Sequence, residues 1–310
     1  MEERKTAQFR RLLKEKDILL IPGAFNALSA RLIEQAGFEA VYVSGAAVAG
    51  NFIGCPDIGL TTLTEVLENA RNIVAVTSLP VICDADTGFG NAINTQRTVR
   101  EFENAGVAGI QIEDQVMPKK CGHTEGKLLV SKEEMVQKIK AAVDARRDPD
   151  FTLVVRTDAI AVNGLEDALD RAQAYLEAGG DVIFVEAPRT VEEMKKITAT
   201  IKAPLLANMV EGGGKTPILS LPELKKMGYQ VALYPVSAWM ASIKAIQEVL
   251  AVLKEDGTTA RYAPHMVPFQ EMFEVVGRSR YVSLEKKYAG PPHPTLSPGI
   301  GGEGKGEGAG

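Results

Sequence analysis

Eight short apolar runs, each followed by a helical pattern, constrain this chain more than any other feature. The runs lie at 18–21, 41–43, 80–83, 109–112, 152–155, 182–185, 204–207 and 231–233. Each is apolar almost throughout rather than alternating, which suits a strand covered on both faces, as in a parallel sheet. Helical patterns occupy 27–35, 64–76, 94–105, 131–147, 165–178, 191–200, 221–227 and 237–253. Local signals fit them: Thr64 reads as an N-cap, Ser131 and Glu134 as a capping box, and Gly37 as a helix end. Strand-then-helix alternation implies parallel pairing, and eight units over about 250 residues match an α/β fold of (β/α)8 TIM-barrel type. An open doubly wound sheet is the competing fold. The similar unit lengths favour closure, and no dinucleotide fingerprint follows the first run.

Two segments fall outside the eight units. Residues 5–16 read as an amphipathic helix with Phe9, Leu12 and Leu13 on one side. Helical patterns at 267–276 and 279–288 carry Met266, Phe269, Met272 and Phe273, and a neighbouring subunit is a candidate cover for them. Residues 1–289 are expected to form one barrel domain that includes the helices at 266–288. From Gly290 the composition shifts to Gly, Pro, Glu and Lys, which cannot bury a core, so 290–310 reads as a disordered tail and His293 is given no chemistry.

Charge and cysteine usage narrow the function classes. The net charge of −5 argues against nucleic acid or an anionic membrane as the main partner. It permits a small anionic substrate, since a few local cations make a positive pocket. Cys55, Cys83 and Cys121 are odd in number and far apart, so a reducing cytoplasm fits better than a disulfide framework. No apolar run is long enough for a transmembrane helix.

The polar residues concentrate at the C-terminal ends of the apolar runs: Ser44, Asp84, Asp86, Glu113, Arg156, Asp158, Glu186 and Asn208. In a barrel those ends converge on one mouth, where active sites of this fold are built. Helix caps also favour Asp, Asn and Ser, but capping explains Glu113, Arg156 and Glu186 poorly. Asp84 and Asp86, two apart on a strand end, should point the same way. With Glu113 and Asp57 they suit a hard divalent cation such as Mg2+, with Mn2+ as an alternative. No histidine pair supports zinc. Arg156 reads as a fork for a carboxylate or phosphate, or as an ion-pair partner of Glu186 or Asp158. Gly214-Lys215-Thr216 is not a phosphate loop, because Met209 stands where the first glycine is required. It reads as a flexible active-site loop in which Thr216 meets a substrate carboxylate. Phe89 and Trp239 read as core packing or as a pocket wall.

The loop Lys119-Lys120-Cys121-Gly122-His123 places a thiol among cations, a setting expected to lower its pKa. The plain alternative is a solvated loop in which the thiol is incidental.

The stretches 43–46 (Val-Ser-Gly-Ala), 84–90 (Asp-Ala-Asp-Thr-Gly-Phe-Gly), 112–115 (Ile-Glu-Asp-Gln), 119–123, 156–159 (Arg-Thr-Asp-Ala) and 208–213 (Asn-Met-Val-Glu-Gly-Gly) resemble the isocitrate lyase/phosphoenolpyruvate mutase superfamily. The resemblance spans about residues 5–288, and the Lys-Lys-Cys-Gly-His loop is similar to its methylisocitrate and dimethylmalate lyase branch. The resemblance implies a homotetramer with C-terminal helices swapped between subunits. It implies Mg2+ on Asp84 and Asp86, with Asp57 and Glu113 nearby. It implies substrate contacts from Ser44, Gly45 and Ala46, from Arg156, Glu186 and Asn208, from Gly122 and His123 on the loop, and from Ser237. It makes Cys121 the acid–base residue. The chain departs from many members in having Ala47 after Gly45-Ala46. The implied reaction is retro-aldol cleavage of a 2-hydroxy di- or tricarboxylate to pyruvate and a second carboxylate such as succinate or propionate. Tyr42, or Asp57 through water, is the candidate base. The alternative on this scaffold is an oxaloacetate or 2-oxo acid decarboxylase, or a phosphonate C–P mutase or hydrolase.

Overall fold

A computed structural model describes residues 3–289 of the chain. Of these, residues 3–262 form one compact unit and residues 263–289 another. The tail expected at 290–310 lies outside the described residues.

The first unit is a closed barrel of eight parallel strands in sequence order. The helix α1 (Lys5–Glu15) precedes it. The order is then β1 (Leu19–Ala24), α2 (Ala27–Gln35), β2 (Val41–Val43), the short α3 (Gly45–Val48), α4 (Leu63–Val74), β3 (Val81–Asp84), α5 (Ala92–Asn104) and β4 (Gly109–Glu113). It continues with α6 (Lys132–Ala145), β5 (Thr152–Thr157), α7 (Leu165–Glu177), β6 (Val182–Val185), α8 (Val191–Thr200), β7 (Leu205–Asn208), α9 (Leu221–Met227), β8 (Val231–Tyr234) and α10 (Ser237–Asp256). The β1–β8 pairing, Leu19 to Val231 through Pro22 to Tyr234, closes the ring.

Two apolar layers hold the barrel. Leu19, Ile21, Ile82, Val154, Val182, Leu206 and Val231 fill its interior, and Phe9 and Leu12 of α1 join that cluster. The amphipathic N-terminal segment therefore contributes to the interior cluster rather than to the outer helical layer. Residues of opposite strand parity, such as Val41, Val43, Ile110, Ile112, Leu153 and Val155, pack outward against the helices. Burial on both faces accounts for the continuous apolar runs.

Three details differ from expectation. β1 runs on through Pro22-Gly23 to Ala24 instead of stopping at Ile21. A Cβ at Gly23 would overlap the Pro235 carbonyl, so the strand passes Pro235 at a separation only glycine allows. The N-cap of α4 is Thr62, not Thr64: its hydroxyl accepts the Glu65 N–H while the Glu65 carboxylate accepts the Thr62 N–H at 2.8 Å. Asp84, Glu113 and Asn208 are the last residues of their strands rather than the first of the loops, so the strands themselves hold these side chains.

Helix α10 buries none of its residues within the chain, and Met240, Ile243, Ile246, Leu250 and Leu253 are exposed along it. In the second unit, α11 (Phe269–Val275) and α12 (Arg278–Tyr288) also expose large apolar side chains, including Phe269, Met272 and Tyr281, as does Met266 ahead of them.

Thr62→Ala is expected to lower stability by about 1 kcal/mol, the usual value of such a cap, and Thr64→Ala by less than about 0.5 kcal/mol. Urea unfolding of both variants checks the assignment.

Candidate active site

A cavity opens at the C-terminal mouth of the barrel. Tyr42, Ser44, Ala46, Asp57, Asp84, Cys121, Gly122, His123, Arg156, Glu186 and Asn208 all line it. They come from β2, β3, β5, β7, the loops that follow β2 and β4, and the residue after β6. Phe184, Val210, Leu233, Pro235 and Val236 supply an apolar wall that the sequence reading did not anticipate.

Burial of negative charge dominates the site. Asp84 accepts hydrogen bonds from the Asp86 N–H at 3.1 Å and from Gln111 Nε2 at 3.3 Å. Burial first, and Asp86 next to it, push its pKa up to about 6, against the pull of Lys119 and Arg156. Asp86 does not follow the alternation expected of it. The strand ends at Asp84, and Asp86 turns into the left-handed region at φ 48°. Its carboxylate meets Lys119 Nζ at 3.0 Å, and the same ammonium pairs with Asp57. Burial works against the charge of Lys119, but Asp86 and Asp57 outweigh it and hold the ammonium well above its ordinary value.

The carboxylates fit a divalent cation. Asp86 Oδ2 and Glu113 Oε2 are buried without a hydrogen-bond partner. Burial pushes Glu113 well above the carboxylate range, despite Arg156. Among the described residues no three acidic, histidine or cysteine side chains stand together as a ready-made cage. Few protein ligands with several waters is the habit of Mg2+ rather than Ca2+ or Zn2+.

Arg156 takes both expected partners. Its Nε and Nη2 clamp Asp158 at 2.9 and 3.0 Å, and Nη1 lies 3.4 Å from both Glu186 and Glu113. The guanidinium also stacks 5.2 Å from the Phe184 ring centroid. Four charged or aromatic neighbours fix its plane, leaving a pre-oriented cation at the cavity. Glu186 accepts from Asn208 Nδ2 at 3.1 Å.

The loop at 119–123 closes over this group. The Cys121 N–H donates to the Asp57 carbonyl at 3.1 Å, and Gln115 brackets Lys120 through its N–H and its carbonyl at 2.9 and 2.8 Å. A Cβ on Gly122 would overlap Arg156 and Glu186, so only glycine lets the loop descend this far. The lowering of the thiol pKa expected from the neighbouring cations does not hold. Burial pushes the Cys121 thiol up, with Asp57 and Glu186 adding to it, against the pull of the His123 N–H and of Arg156. Lys119 does not serve the sulfur: its charge is spent on Asp57 and Asp86. His123 Nδ1 accepts the Lys215 N–H at 3.0 Å, which places the proton on Nε2, 3.3 Å from Glu186. Burial keeps this imidazole below its ordinary pKa and hence neutral.

Other expected residues divide. Tyr42 donates to Gln111 Oε1 at 2.7 Å, and burial, with Asp84 second, holds the phenol well above its ordinary value. It is thus a donor rather than a base. Gly45 opens α3 beside the Asp84 carboxylate. Thr216 is buried with an unpartnered hydroxyl but does not line the cavity. Ser237 donates to Glu211 and lines a separate apolar groove with Trp239, so the structure does not bring it to the site. Phe89 is partly buried against the outer core. Gln111 and Lys127 are not among the expected residues, and Lys119, expected beside the thiol, serves the carboxylates instead. Gln111 carried a signal, being the one polar residue within the run Gly-Ile-Gln-Ile of a strand buried on both faces.

Comparison with known proteins places this arrangement. The family model for phosphoenolpyruvate phosphomutase matches residues 9–254. The 2,3-dimethylmalate lyase of Eubacterium barkeri is 50% identical over 283 residues, covering 91% of this chain and 98% of that protein. The 2-methylisocitrate lyase of Aeropyrum pernix is 48% identical over 287 residues, covering 93% and 91%. A solved phosphonopyruvate hydrolase in complex with oxalate and Mg++ superposes with a TM-score of 0.84 at 32% identity, covering 92% of this chain and 99% of that one. With its eight-stranded barrel and a loop cysteine over a buried acidic cluster, the chain belongs to the phosphoenolpyruvate mutase/isocitrate lyase superfamily.

Proposed function

We propose that this protein is a divalent-metal-dependent carbon–carbon lyase acting on a 2-hydroxy di- or tricarboxylate of the 2,3-dimethylmalate or 2-methylisocitrate type. The products are pyruvate and propionate or succinate. One observation carries the reading: a protonated thiol, Cys121, faces the same cavity as the Arg156 fork and the Asp84 carboxylate. A lyase of this kind must donate a proton to a carbanion, and a neutral thiol sealed from water is a suitable donor.

The residues divide the work as follows. Arg156 takes a substrate carboxylate on its fixed fork, with Asn208 and the neutral His123 beside it. Ser44, Gly45 and Ala46 bound the side of the 2-hydroxyl group. Asp57 accepts the hydroxyl proton through water, since the Tyr42 phenol stays protonated. Asp84, with Asp57, Asp86 and Glu113 behind it, would hold Mg2+ or Mn2+ directly or through water; when bound, the cation neutralises charge on the 2-oxo fragment. As the C–C bond breaks, Arg156 stays with the departing carboxylate and Cys121 protonates the carbon from the loop side. Phe184, Val210 and Leu233 give the substrate's methyl group an apolar wall. One methyl is worth only ~1–3 kcal/mol of discrimination, so the two substrate types compete closely.

The exposed apolar stripe of α10 and those of α11 and α12 support a homotetramer with swapped C-terminal helices. No helix among the described residues is long and apolar enough to cross a membrane.

The purified protein with Mg2+ is offered 2,3-dimethylmalate, 2-methylisocitrate, isocitrate, oxaloacetate and phosphonopyruvate. Pyruvate with an equal amount of propionate or succinate is expected from one or both of the first two. Activity confined to any of the other three would overturn the proposal. Cys121→Ser is expected to lower kcat by about 10²–10⁴-fold, the range for loss of a general acid, and Arg156→Lys by about 10²-fold or more.

Two further outcomes need no substrate. Addition of Mg2+ at about a hundredfold excess over its Kd should stabilise the protein by ~2.7 kcal/mol, seen as a melting shift of several degrees that Asp84→Ala abolishes. An equal shift in that variant would place the metal elsewhere. Because burial raises the Cys121 pKa, the thiolate fraction is small at neutral pH and grows only as pH rises through the raised value. The rate of Cys121 alkylation by iodoacetamide, read by mass spectrometry, should therefore have its midpoint above the ~8.5 of an ordinary thiol. A midpoint below it would restore the activated thiolate.

A further inference from the structure

The loop that carries Cys121 has a fixed neck. Val116 donates its N–H to the Leu128 carbonyl at 2.8 Å, Gln115 and Leu129 form an antiparallel bridge, and Val130 donates to the Asp114 carbonyl at 2.9 Å. Residues 117–126 spring from this neck, and Lys127 stands at its edge. Its side chain is buried, and its ammonium makes two bonds. One goes to the Gly122 carbonyl at the loop tip, the other to Asp158 Oδ1 at 2.9 Å. Asp158 is the carboxylate that clamps Arg156 through both oxygens, and its own N–H is anchored on Asp114 at 2.9 Å.

We propose that Lys127 is a positioning residue: a latch that ties the loop tip over Cys121 to the Asp158 carboxylate that orients Arg156. The inference rests on the lyase reading for its consequence in catalysis, though not for its geometry. Other ties also hold the loop down, among them the Cys121 N–H on the Asp57 carbonyl and the Lys215 N–H on His123 Nδ1, but the tie at Gly122 itself is made by Lys127. Gly122 offers no side chain, and Thr124 bonds only within the loop, to the Cys121 carbonyl. The tip carbonyl, by contrast, faces a buried ammonium that cannot leave without stranding its charge. Lys127 touches none of the residues assigned to the metal. Its direct contacts are with the loop tip and with Asp158, and it reaches Arg156 through that carboxylate. When the loop lifts, Lys127 remains paired with Asp158. When it closes, the same ammonium gains the Gly122 carbonyl, so the closed loop and the oriented fork share one carboxylate.

The test compares wild type, Lys127→Met and Lys127→Arg at one pH, without substrate, by the rate of iodoacetamide labelling at Cys121. Cys83, buried in β3, is the internal control. The methionine variant should label Cys121 about tenfold faster or more, as expected when a charged hydrogen bond that holds a segment shut is lost. Cys83 labelling should stay unchanged, and the arginine variant should return most of the protection. Unchanged Cys121 labelling in a folded methionine variant would overturn the latch. If that variant does not fold, Lys127→Gln, which removes the charge and keeps a donor, is read against the same two outcomes. In parallel, kcat for the lyase reaction should fall about tenfold or more while the Mg2+ Kd from thermal shift stays at the wild-type value. Faster labelling in a protein whose wild type cleaves neither substrate would leave the latch standing and remove the lyase reading. Labelling of the methionine variant as slow as that of wild type, in a protein whose wild type cleaves the substrate at full rate, would do the reverse.

Discussion

A single buried ammonium organises the mouth of this barrel. Lys119 lies between Asp57 and Asp86, two carboxylates that come from different loops and that burial would otherwise hold apart. Taking one such charge out of water unpaired costs several kcal/mol, so the pair of acids demands a cation and the loop provides it. Two consequences follow. The backbone on either side of Lys119 is drawn down, so Cys121 hydrogen-bonds to the Asp57 carbonyl and faces the cavity. The lysine charge is also consumed, so the thiol beside it is governed by burial and by nearby carboxylates and stays protonated. One ion-pair triad thus sets both the place of the sulfur and its protonation state.

The same charge balance bears on the metal. Lys119, Arg156 and Lys127 are three cations against the six acidic groups Asp57, Asp84, Asp86, Glu113, Asp158 and Glu186. Asp84 is left with a raised pKa, and oxygens of Asp86 and Glu113 are left without donors. A fold rarely tolerates such groups unless a ligand completes them. The unpaired carboxylate oxygens are therefore the observation on which the proposed hard cation at the strand ends rests.

Much of this was readable from residue order. Period and length identified eight buried strands, and strand ends located Ser44, Asp84, Arg156, Glu186 and Asn208 at one mouth. The failures have specific physical causes. Thr64 was preferred to Thr62 although the spacing of a capping box, Thr62 to Glu65, selects the latter. Asp86 was assigned by strand alternation, which stops once the backbone turns to positive φ. Cys121 was judged by its neighbours in the chain, but the Lys119 ammonium is directed at carboxylates more than thirty residues away in sequence. Ser237 follows Pro235, a cavity residue, yet as the first residue of α10 it meets Glu211 instead. The cap was legible in the spacing; in the other three cases side-chain direction, not residue identity, decided the outcome, and direction depends on contacts that the order of residues does not contain. Gln111 and Lys127 are the instructive omissions. A polar residue inside a two-sided apolar strand, and a lysine beside a loop glycine, were both visible, but neither had an assignable partner until the strands were closed into a ring.

The central claim is that the carbanion is protonated by a neutral Cys121 inside a closed site. Cleavage carried out in D2O tests it most directly, with the configuration of the CHD carbon in the propionate or succinate product as the readout. Delivery from one enclosed thiol predicts one deuterium per product, on a single face, with Cys121→Ser giving slow turnover and loss of that facial selectivity. Label distributed equally over both faces by the wild-type protein, or an unchanged single configuration at full rate in Cys121→Ser, would contradict it.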